Sequence, residues 1–439
     1  MPQHSPFSIK LEMATQEILS RQVRNGFKLD MRKSSELLAE VQDEVEKSEA
    51  SIREHFKPAP KLIREYYPKV TKDGTSHAKN TLGPLREKYG SEYGGDPYSA
   101  IEWVPFNLRS PSQVVGRLDR YWKPTVLTPA GNPKVCEENL ATLSSEAPES
   151  VKGIARHRIL TSRADNIQGW LSAVDEDSRV RGMIWHIGAW THRNSHSDPN
   201  MANIPGVYTK TGEIALYGRE CRECWTVDEG KVLVGTDASG IQLRVLAHYI
   251  NNPAYTEAVV TDIHSFNAEI LGCERSVAKT FIYAWLLGAG VARIAAILNC
   301  SHKDAVFERD RFIGNTPGLA EFLQRKSAIA DRGYLVGLDG RIIWIPNDHL
   351  ALAGFLQGGE AVIMRLANLL WDKEATRREL DYMQVAMVHD EWQSELLKEH
   401  SEEFGALQVD SFAKASTMLK LNVPLTGETN YGRNWAETH

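Results

Sequence analysis

Residues 231–244 read KVLVGTDASGIQLR, and residues 383–397 read MQVAMVHDEWQSELL. The first run predicts a buried strand that ends on Asp237, and the second predicts two strands around a tight polar turn that carries Asp390. A carboxylate at the end of a buried strand is held rigidly, and the small residues after Asp237 let a ligand approach the backbone. Two such aspartates could hold a pair of divalent cations for phosphoryl transfer, because Mg²⁺ uses one or two carboxylates and completes its shell with substrate phosphates. Strand-end aspartates are common, so this pairing alone is a weak signal.

Residues 275–290, RSVAKTFIYAWLLGAG, predict a helix with a cationic stripe. Four residues spaced by four share one face of this helix: Arg275, Lys279, Tyr283 and Leu287. Two cations followed by an aromatic ring could grip a triphosphate and stack on its base, and His264, just upstream, could add a phosphate donor. The alternative is an ordinary amphipathic helix with a solvated basic end.

The composition is that of a soluble protein with a substantial core. The chain has 439 residues, 42% hydrophobic and 25% charged, which predicts about three domains of roughly 150 residues each. With 51 Lys and Arg against 57 Asp and Glu, the net charge is −6, and taken alone this argues against a basic, nucleic-acid-coating surface. Five cysteines do not predict a disulfide framework. Neither a signal peptide nor a membrane span is expected, since the uncharged stretch 280–292 has only 13 residues.

Three motifs, in the correct order, resemble those of family A DNA polymerases, particularly the replicative polymerases of bacteriophages. DASGIQLR (237–244) resembles the metal-binding motif D-x-S-x-[IL]-E-L-R, the helix 275–290 resembles R-x3-K-x3-[FY]-x3-Y-G, and VHDE (388–391) resembles the second metal-binding motif. Lesser matches are THRNSHSDPNMANIPG (191–206), TDIH (261–264), GLDGR (337–341), FLQGGEAV (355–362) and the terminal NWAETH (434–439). The resemblance covers roughly residue 8 to the end.

The resemblance implies an α+β, mostly helical, right-hand polymerase fold with an antiparallel palm sheet, helical fingers and a helical thumb. The implied order is thumb at 1–150 with a basic insertion at about 57–106, palm at 151–262, fingers at 263–352, and palm again at 353–439.

The implied activity is template-directed, primer-dependent addition of deoxynucleoside monophosphates from dNTPs to a primer 3′-OH by two-metal-ion catalysis. Asp237 and Asp390 would coordinate two Mg²⁺ ions, with Mn²⁺ as a substitute, and the backbone of Ala238 could supply a carbonyl ligand. Lys279 would bind the triphosphate and protonate pyrophosphate. Glu391 would shape the metal site without binding tightly.

The resemblance also implies contacts with nucleotide and DNA. Arg275 and His264 would bind the triphosphate, and Tyr283 would stack on the incoming nucleotide. A tyrosine there, where many relatives have phenylalanine, implies easier acceptance of dideoxynucleotides. Primer-template DNA would be contacted mostly through its shape. The implied DNA-contacting residues are Arg193, Arg341, Gln357, His389 and His439.

Two departures from the family pattern concern the sugar gate, the residue whose bulk rejects a ribose 2′-OH. Gln242 stands where the family has glutamate, and Leu287 stands where relatives have the tyrosine that hydrogen-bonds that glutamate. A leucine cannot satisfy a buried carboxylate, whereas a neutral amide lessens the cost. We therefore predict a coupled substitution, in which Gln242→Glu alone impairs the enzyme and unchanged primer extension would refute the coupling.

The phage relatives carry a proofreading exonuclease domain that we do not find in this sequence, so editing is expected from a separate chain or not at all. Residues 57–90 carry a local charge of +5 where phage enzymes insert a loop that binds thioredoxin. A thioredoxin-like processivity factor at the 57–106 insertion is therefore a candidate partner, as are separate exonuclease, helicase or primase chains. A cytoplasmic location, in the host cell if phage-encoded, is expected.

Two other functions remain alternatives from sequence. A single-subunit RNA polymerase shares the palm, although such enzymes usually continue this helix as K-R-x-x-M-T rather than the K-T-F-I-Y found here. A degenerate polymerase kept as a DNA-binding scaffold is disfavoured by the intact acidic and cationic motif residues. A zinc site at Cys221 and Cys224 with His192 and His196 is also disfavoured, because no second C-x-x-C is present.

Overall fold

A computed structural model describes residues 3–66, 98–124, 126–128, 130–140, 142–209, 212–286 and 288–439. The chain divides into two units, one of residues Asp43–Ile159 and one of Met1–Gln42 together with Leu160–His439. The predicted boundaries of thumb, palm and fingers stay predictions. Most of the predicted basic insertion at 57–106 lies outside the described residues.

The unit of residues Asp43–Ile159 has its own apolar core. Trp122 lies at its centre, and its indole donates to the Asn139 carbonyl at 2.7 Å. Ile52, Leu118 and Ile154 pack in the same cluster. The elements that contribute to this unit are α2 (Met31–His55), β2 (Ala59–Tyr66), β3 (Tyr98–Val104), α3 (Pro111–Leu118), α4 (Glu137–Leu140) and α5 (Glu149–Ser172).

The other unit begins with α1 (Pro6–Asn25) and β1 (Phe27–Leu29). Its short elements before the main sheet are β4 (Arg179–Val180), β5 (Met183–Trp185), β6 (Ser195–Ser197), a 3-10 turn (Met201–Asn203), α6 (Gly218–Glu223) and β7 (Trp225–Thr226). β1 pairs with β4 and β7, while β5 and β6 form a hairpin. The sequence of residues 8–55 predicts two helices separated by a stop at Gly26. The structure has both helices and the stop, with Gly26 at φ 63°, and adds the short strand β1 between them.

An antiparallel sheet of four strands organises this unit, in the order β11-β12-β8-β13. The strands are β8 (Lys231–Ala238), β11 (Tyr382–Val388), β12 (Glu391–Leu397) and β13 (Gly427–Gly432). Asp237 on β8 lies opposite Glu391 on β12 and Glu428 on β13. The two predicted strands of 383–397 and the strand ending on Asp237 are therefore confirmed.

Helices fill the segment between β8 and β11. They are α7 (Ile241–Ile250), α8 (Pro253–Thr261), α9 (Ile263–Leu271), α10 (Arg275–Leu286), α11 (Val291–Leu298), α12 (His302–Asn315), α13 (Leu319–Arg332) and α14 (Asp348–Arg377), with the hairpin of β9 (Tyr334–Val336) and β10 (Ile342–Trp344) before α14. A 3-10 turn (Lys398–His400) and α15 (Ser401–Met418) follow β12. α14 packs against α1, α7, α13 and α15, so it lies at the centre of the apolar core.

One described helix, Asp348–Arg377, is long and apolar enough to cross a membrane by length and composition. Its most apolar window is 83% buried inside the protein, as in a core helix. Burial against four other helices accounts for its apolar character.

Candidate active site

The two predicted metal-binding aspartates lie next to each other at one end of the sheet. Asp237 is the seventh residue of β8, and Asp390 lies in the two-residue turn between β11 and β12. The Ala238 amide donates to the Asp390 carbonyl at 2.9 Å, which ties the turn to the end of β8. His389 adopts a left-handed φ of 55°, which lets the chain reverse in two residues. The prediction that separate strands bring these aspartates together is met by this geometry.

Neither aspartate of the acid pair forms an ion pair with a lysine or arginine in the described part of the chain, although the charge of Arg193 acts on Asp390. Burial and then the neighbouring Asp390 raise the pKa of Asp237 to about 8. Burial and then Glu360 raise the pKa of Asp390 to about 7. Carboxylates in excess over the nearby cations are what a cation site requires.

The cationic stripe forms as the sequence predicts and lies in the electrostatic field of the acid pair. Arg275 and Lys279 are exposed on α10, whereas Tyr283, one turn further, is half-buried. Burial and then Asp390 and Asp237 raise the pKa of Tyr283, so this end of α10 lies near the carboxylates. The structure thus brings the predicted nucleotide helix and the predicted metal site together.

His264 and Arg275 extend the stripe. The rings of His264 and Tyr283 have centroids 5.8 Å apart. Burial, followed by Lys279 and Arg275, lowers the pKa of His264, and its Nδ1 is buried with no hydrogen-bond partner. Arg275 pairs with Asp262, with Nε 3.0 Å from Oδ2, and Asp262 also caps α9. These contacts hold the free end of the stripe in place.

Glu391 is not available as a simple metal ligand because its carboxylate is enclosed by the C-terminal segment. It is 4% exposed and accepts hydrogen bonds from Gln393 and from the Trp435 indole. His439 Nδ1 lies 2.9 Å from Glu391 Oε2, and Arg222 lies 3.9 Å from the same oxygen. Although burial opposes it, the hydrogen bond from His439 leads the causes that lower the pKa of Glu391. The enclosure agrees with a role in shaping the site.

Gln242 has a partner that the sequence did not reveal. Its Nε2 donates to Glu360 Oε2 at 2.9 Å, and Arg193 donates to the same carboxylate oxygen. Leu287, the other half of the predicted coupled substitution, lies outside the described residues. A signal for Glu360 was available, because it is the only charged residue between Asp348 and Arg365 on an otherwise apolar helix.

The predicted DNA-contacting residues differ in their exposure to solvent. Gln357 is half-buried and accepts from the Thr191 hydroxyl at 3.1 Å. His389 is exposed at the turn, and His439 is partly exposed beside Glu391. Arg193 is largely covered and bound to Glu360. Their contacts with DNA stay predictions.

Arg341 is placed differently from what a direct DNA contact would suggest. It is 1% exposed, and its guanidinium pairs with Asp339 at 2.7 Å and with Glu12 at 2.6 Å. Glu12 also pairs with Arg365, which donates to the carbonyls of His186 and His192. Arg341 therefore anchors α1 to the turn between β9 and β10, and Arg365 links α1 to the loop that carries the predicted primer-contacting segment. Sequence reasoning missed Glu12 and Arg365, whose partners are more than 170 residues away along the chain.

Cys221 and Cys224 are both buried and form no disulfide. Cys224 Sγ donates to the Glu220 carbonyl at 3.3 Å, and burial raises the pKa of its thiol to about 11. Within the described ranges, no group of three or more His, Cys, Asp or Glu side chains is arranged to hold a metal ion. A metal at the acid pair would therefore take its further ligands from backbone, water or substrate.

The fold identifies the class of protein. The polymerase domain of Pol1 from M. smegmatis, solved in complex with DNA primer-template and dNTP, matches 97% of this chain with a TM-score of 0.75 and 22% identity, and the match covers 70% of that chain. The protein therefore has the right-hand fold of a polymerase domain, and the predicted α+β, mostly helical class is confirmed.

The sequence identifies the family. Residues 91–437 match DNA polymerase family A, so the chain belongs to that family, and the predicted enzyme class, a DNA-directed DNA polymerase, is confirmed. DNA-directed DNA polymerases of Enterobacteria phage T3 and Escherichia phage T7 are each 28% identical over 98% of this chain and 70% of their own length. DNA polymerase I of Pseudomonas aeruginosa is 28% identical over 84% of this chain and 43% of its own.

Proposed function

We propose that this family A enzyme is a template-directed, primer-dependent polymerase of the phage replicative type, adding deoxynucleoside monophosphates from dNTPs to a primer 3′-OH. The observation that carries the proposal is that Asp237 and Asp390 lie near the end of α10. After burial, both carboxylates contribute to the raised pKa of Tyr283 at that end. A triphosphate needs cationic groups along its length and a metal at its reacting end, and these two elements offer both. Similarity to the T3 and T7 enzymes over 98% of the chain supports the phage type.

The acid pair fits two divalent cations, Mg²⁺ or, as a substitute, Mn²⁺. Its donors are hard carboxylate oxygens, which such ions prefer. Burial and then neighbouring carboxylates raise their pKa values, and a cation would favour the ionised form against both causes. Asp237 and Asp390 would hold the ions, with the Ala238 carbonyl as a further ligand. When bound, such ions supply Lewis-acid activation of a hydroxyl nucleophile and stabilise charge on the transferring phosphoryl group and its leaving group.

The side chains of α10 would bind and orient the nucleotide. Arg275 and Lys279 are exposed cations one turn apart, a spacing suited to neighbouring phosphates. Lys279, one turn from Tyr283, would also give a proton to the departing pyrophosphate. Lowering of the His264 pKa leaves its imidazole neutral at pH 7, so it would act as a hydrogen-bond donor to phosphate rather than a charge. Tyr283 would stack on the incoming nucleotide.

Gln242 would exclude a ribose 2′-OH by its bulk, since an amide has nearly the same shape as the carboxylate it replaces. Primer-template DNA is the expected macromolecular partner, and a host-cell cytoplasmic location is part of the proposal. A thioredoxin-like processivity factor and a separate exonuclease, helicase or primase remain candidate partners. The segment proposed to bind the processivity factor falls largely outside the described residues.

Primer extension tests the proposal. The protein is incubated with a 5′-labelled primer on a longer template, dNTPs and Mg²⁺, and extension is compared among the parent, Asp237→Asn, Asp390→Asn and Asp381→Asn. Asp381 is an exposed aspartate at the opposite end of β11, which makes it a matched control. We expect the first two substitutions to abolish extension and the control to leave it unchanged. A parent that binds the DNA without extending it would contradict the proposal in favour of a scaffold, and extension with ribonucleotides would favour an RNA polymerase.

A further inference from the structure

Glu360 is a buried carboxylate whose two oxygens have different surroundings. It lies on α14 and is 1% exposed. Oε2 accepts from Gln242 Nε2 at 2.9 Å and from Arg193, whereas Oε1 is buried with no hydrogen-bond partner. A buried carboxylate held by two donors on one oxygen alone is costly to maintain. The presence of Glu360 in an apolar helix is therefore better explained by a functional role than by a contribution to stability.

Close helix packing brings Gln242 to Glu360. Val245 lies one turn after Gln242 on α7, and it packs against Gly359, the residue before Glu360 on α14. A Cβ on Gly359 would lie 2.7 Å from Val245 Cγ1, so a larger residue there would have to displace the Val245 side chain or move the two helices apart. The contact between Gln242 and Glu360 is therefore built into the backbone spacing.

The amide at position 242 and the carboxylate at position 360 are chemically matched. An amide donates an N–H to the carboxylate, whereas a glutamate at position 242 would put a second, half-buried carboxylate against the buried one of Glu360. Glu360 also contributes, after burial, to the raised pKa of Asp390, and so lies in the field of the acid pair. Glu360 therefore explains the amide at the gate from a described contact, where the sequence pointed only to Leu287.

We propose that Glu360 is a positioning residue that fixes the Gln242 side chain against the sugar of the incoming nucleotide and ties it to Arg193. Sugar selection then depends on the 242–360 pair and not on either residue alone. The inference rests on the proposed polymerase function and deepens it. Because Arg193 lies in the predicted primer-contacting segment, the same carboxylate joins the nucleotide side and the primer side of the site.

Exchanging the two side chains tests this proposal. The variants are Gln242→Glu, Glu360→Gln, and the double exchange Gln242→Glu/Glu360→Gln, which restores an amide–carboxylate pair with the polarity reversed. The measurement is the ratio of kcat/KM for a deoxynucleotide to that for the matching ribonucleotide in single-nucleotide primer extension, with kcat and KM reported separately. We expect each single variant to lower this ratio by about tenfold and the double variant to recover most of the loss, as for residues in direct contact.

Asn368→Asp is the matched control. Asn368 lies two turns further along α14, is 1% exposed, and its amide donates to Gln384 at 2.9 Å. The Asn368→Asp substitution places a carboxylate in a buried amide network on the same helix. It should therefore lower the melting temperature without changing the ratio of kcat/KM for deoxynucleotide to that for ribonucleotide. A control that changes the ratio as much as the single variants do would show general loosening and overturn the proposal.

Two other outcomes also overturn it. An unchanged ratio in Glu360→Gln removes Glu360 from sugar selection, and a double variant with the summed losses of both singles shows that the residues act independently. Failure of the proposed function is distinct, because the parent would then incorporate no nucleotide of either kind. If the parent incorporates no nucleotide, the melting temperatures of the variants are compared instead. A double variant that recovers the melting temperature lost by the single variants would then show that the 242–360 contact is purely structural, which also overturns the proposal.

Discussion

Replacing Asp237 by asparagine should stabilise the metal-free protein while abolishing its activity. The raised pKa values of Asp237, about 8, and Asp390, about 7, mean that the folded protein resists ionising this pair. Between about pH 4 and pH 8 the folded state therefore binds more protons than the unfolded state, and the stability of the metal-free protein falls as pH rises through this range. An asparagine carries no charge, so the variant escapes that loss.

The structure sets the size of the effect. A rise of the Asp237 pKa from 3.8 to about 8 would correspond to about 6 kcal/mol if the group were fully enclosed. The Asp237 side chain is exposed to solvent, so screening reduces the figure, and we expect about 2 kcal/mol at pH 8. For a protein of this size that is a rise in melting temperature of about 2–5 °C.

Thermal denaturation in EDTA and in excess Mg²⁺, at several values between pH 5 and pH 8, measures this directly. In EDTA the advantage of Asp237→Asn over the parent should widen as pH rises. In Mg²⁺ the parent should gain stability and the variant should not, because ion binding to the folded state stabilises only a protein that binds the ion. Asp381→Asn should follow the parent throughout. An asparagine variant that is no more stable than the parent at pH 8 in EDTA would refute the charge-repulsion reasoning.

Three further outcomes follow from other contacts. Lys279→Ala, on the exposed face of α10, should lower kcat/KM for dNTP about 100-fold in primer extension with an unchanged melting temperature; a smaller loss than that of the nearby surface control Lys303→Ala would contradict it. Glu391→Gln should lower the melting temperature above about pH 5, where the parent carboxylate is ionised, and the difference should shrink as pH falls; an equal difference at all pH values would contradict it. Gly359→Ala should cost about 1–3 kcal/mol in denaturant unfolding, since its Cβ would meet Val245; a neutral effect would show that the two helices can separate.

The sequence was sufficient for the features that local patterns determine. The apolar run before Asp237 predicted β8, the turn at Asp390 predicted the β11–β12 hairpin, and the four-residue spacing of Arg275, Lys279 and Tyr283 predicted one face of α10. Each of these depends on periodicity within about 15 residues, and side-chain periodicity follows directly from helix and strand geometry. The strand ends alone gave only a weak signal that the two aspartates meet, because no local pattern specifies which strands pair, and the resemblance supplied the rest.

The sequence was insufficient where a residue's role depends on a distant partner. Gln242 was compared with Leu287, forty-five residues along the chain, whereas its described partner, Glu360, is 118 residues away. Arg341 carries a motif match for DNA contact, yet its charge is taken up inside the protein by Asp339 and Glu12. A motif records residue type and spacing, and the burial and pairing of a charge are set by tertiary packing.

Burial also explains why a net charge of −6 is a poor guide to nucleic-acid binding in this protein. Arg179, Arg222, Arg341 and Arg365 are each under 10% exposed, and all but Arg222 form close ion pairs with carboxylates. The charges in these pairs are included in the net charge, but they contribute little to the electrostatic potential at the surface, because opposite charges in contact cancel at a distance. The charges open to a polyanion are those near the surface, which include Lys279 and Arg275 on α10, the latter in an exposed pair with Asp262. Near the other end of α10 lie the carboxylates of Asp237 and Asp390, whose repulsion of a phosphate a divalent cation would reverse. The local excess of each sign, and not the sum over the chain, therefore decides whether a phosphate can approach.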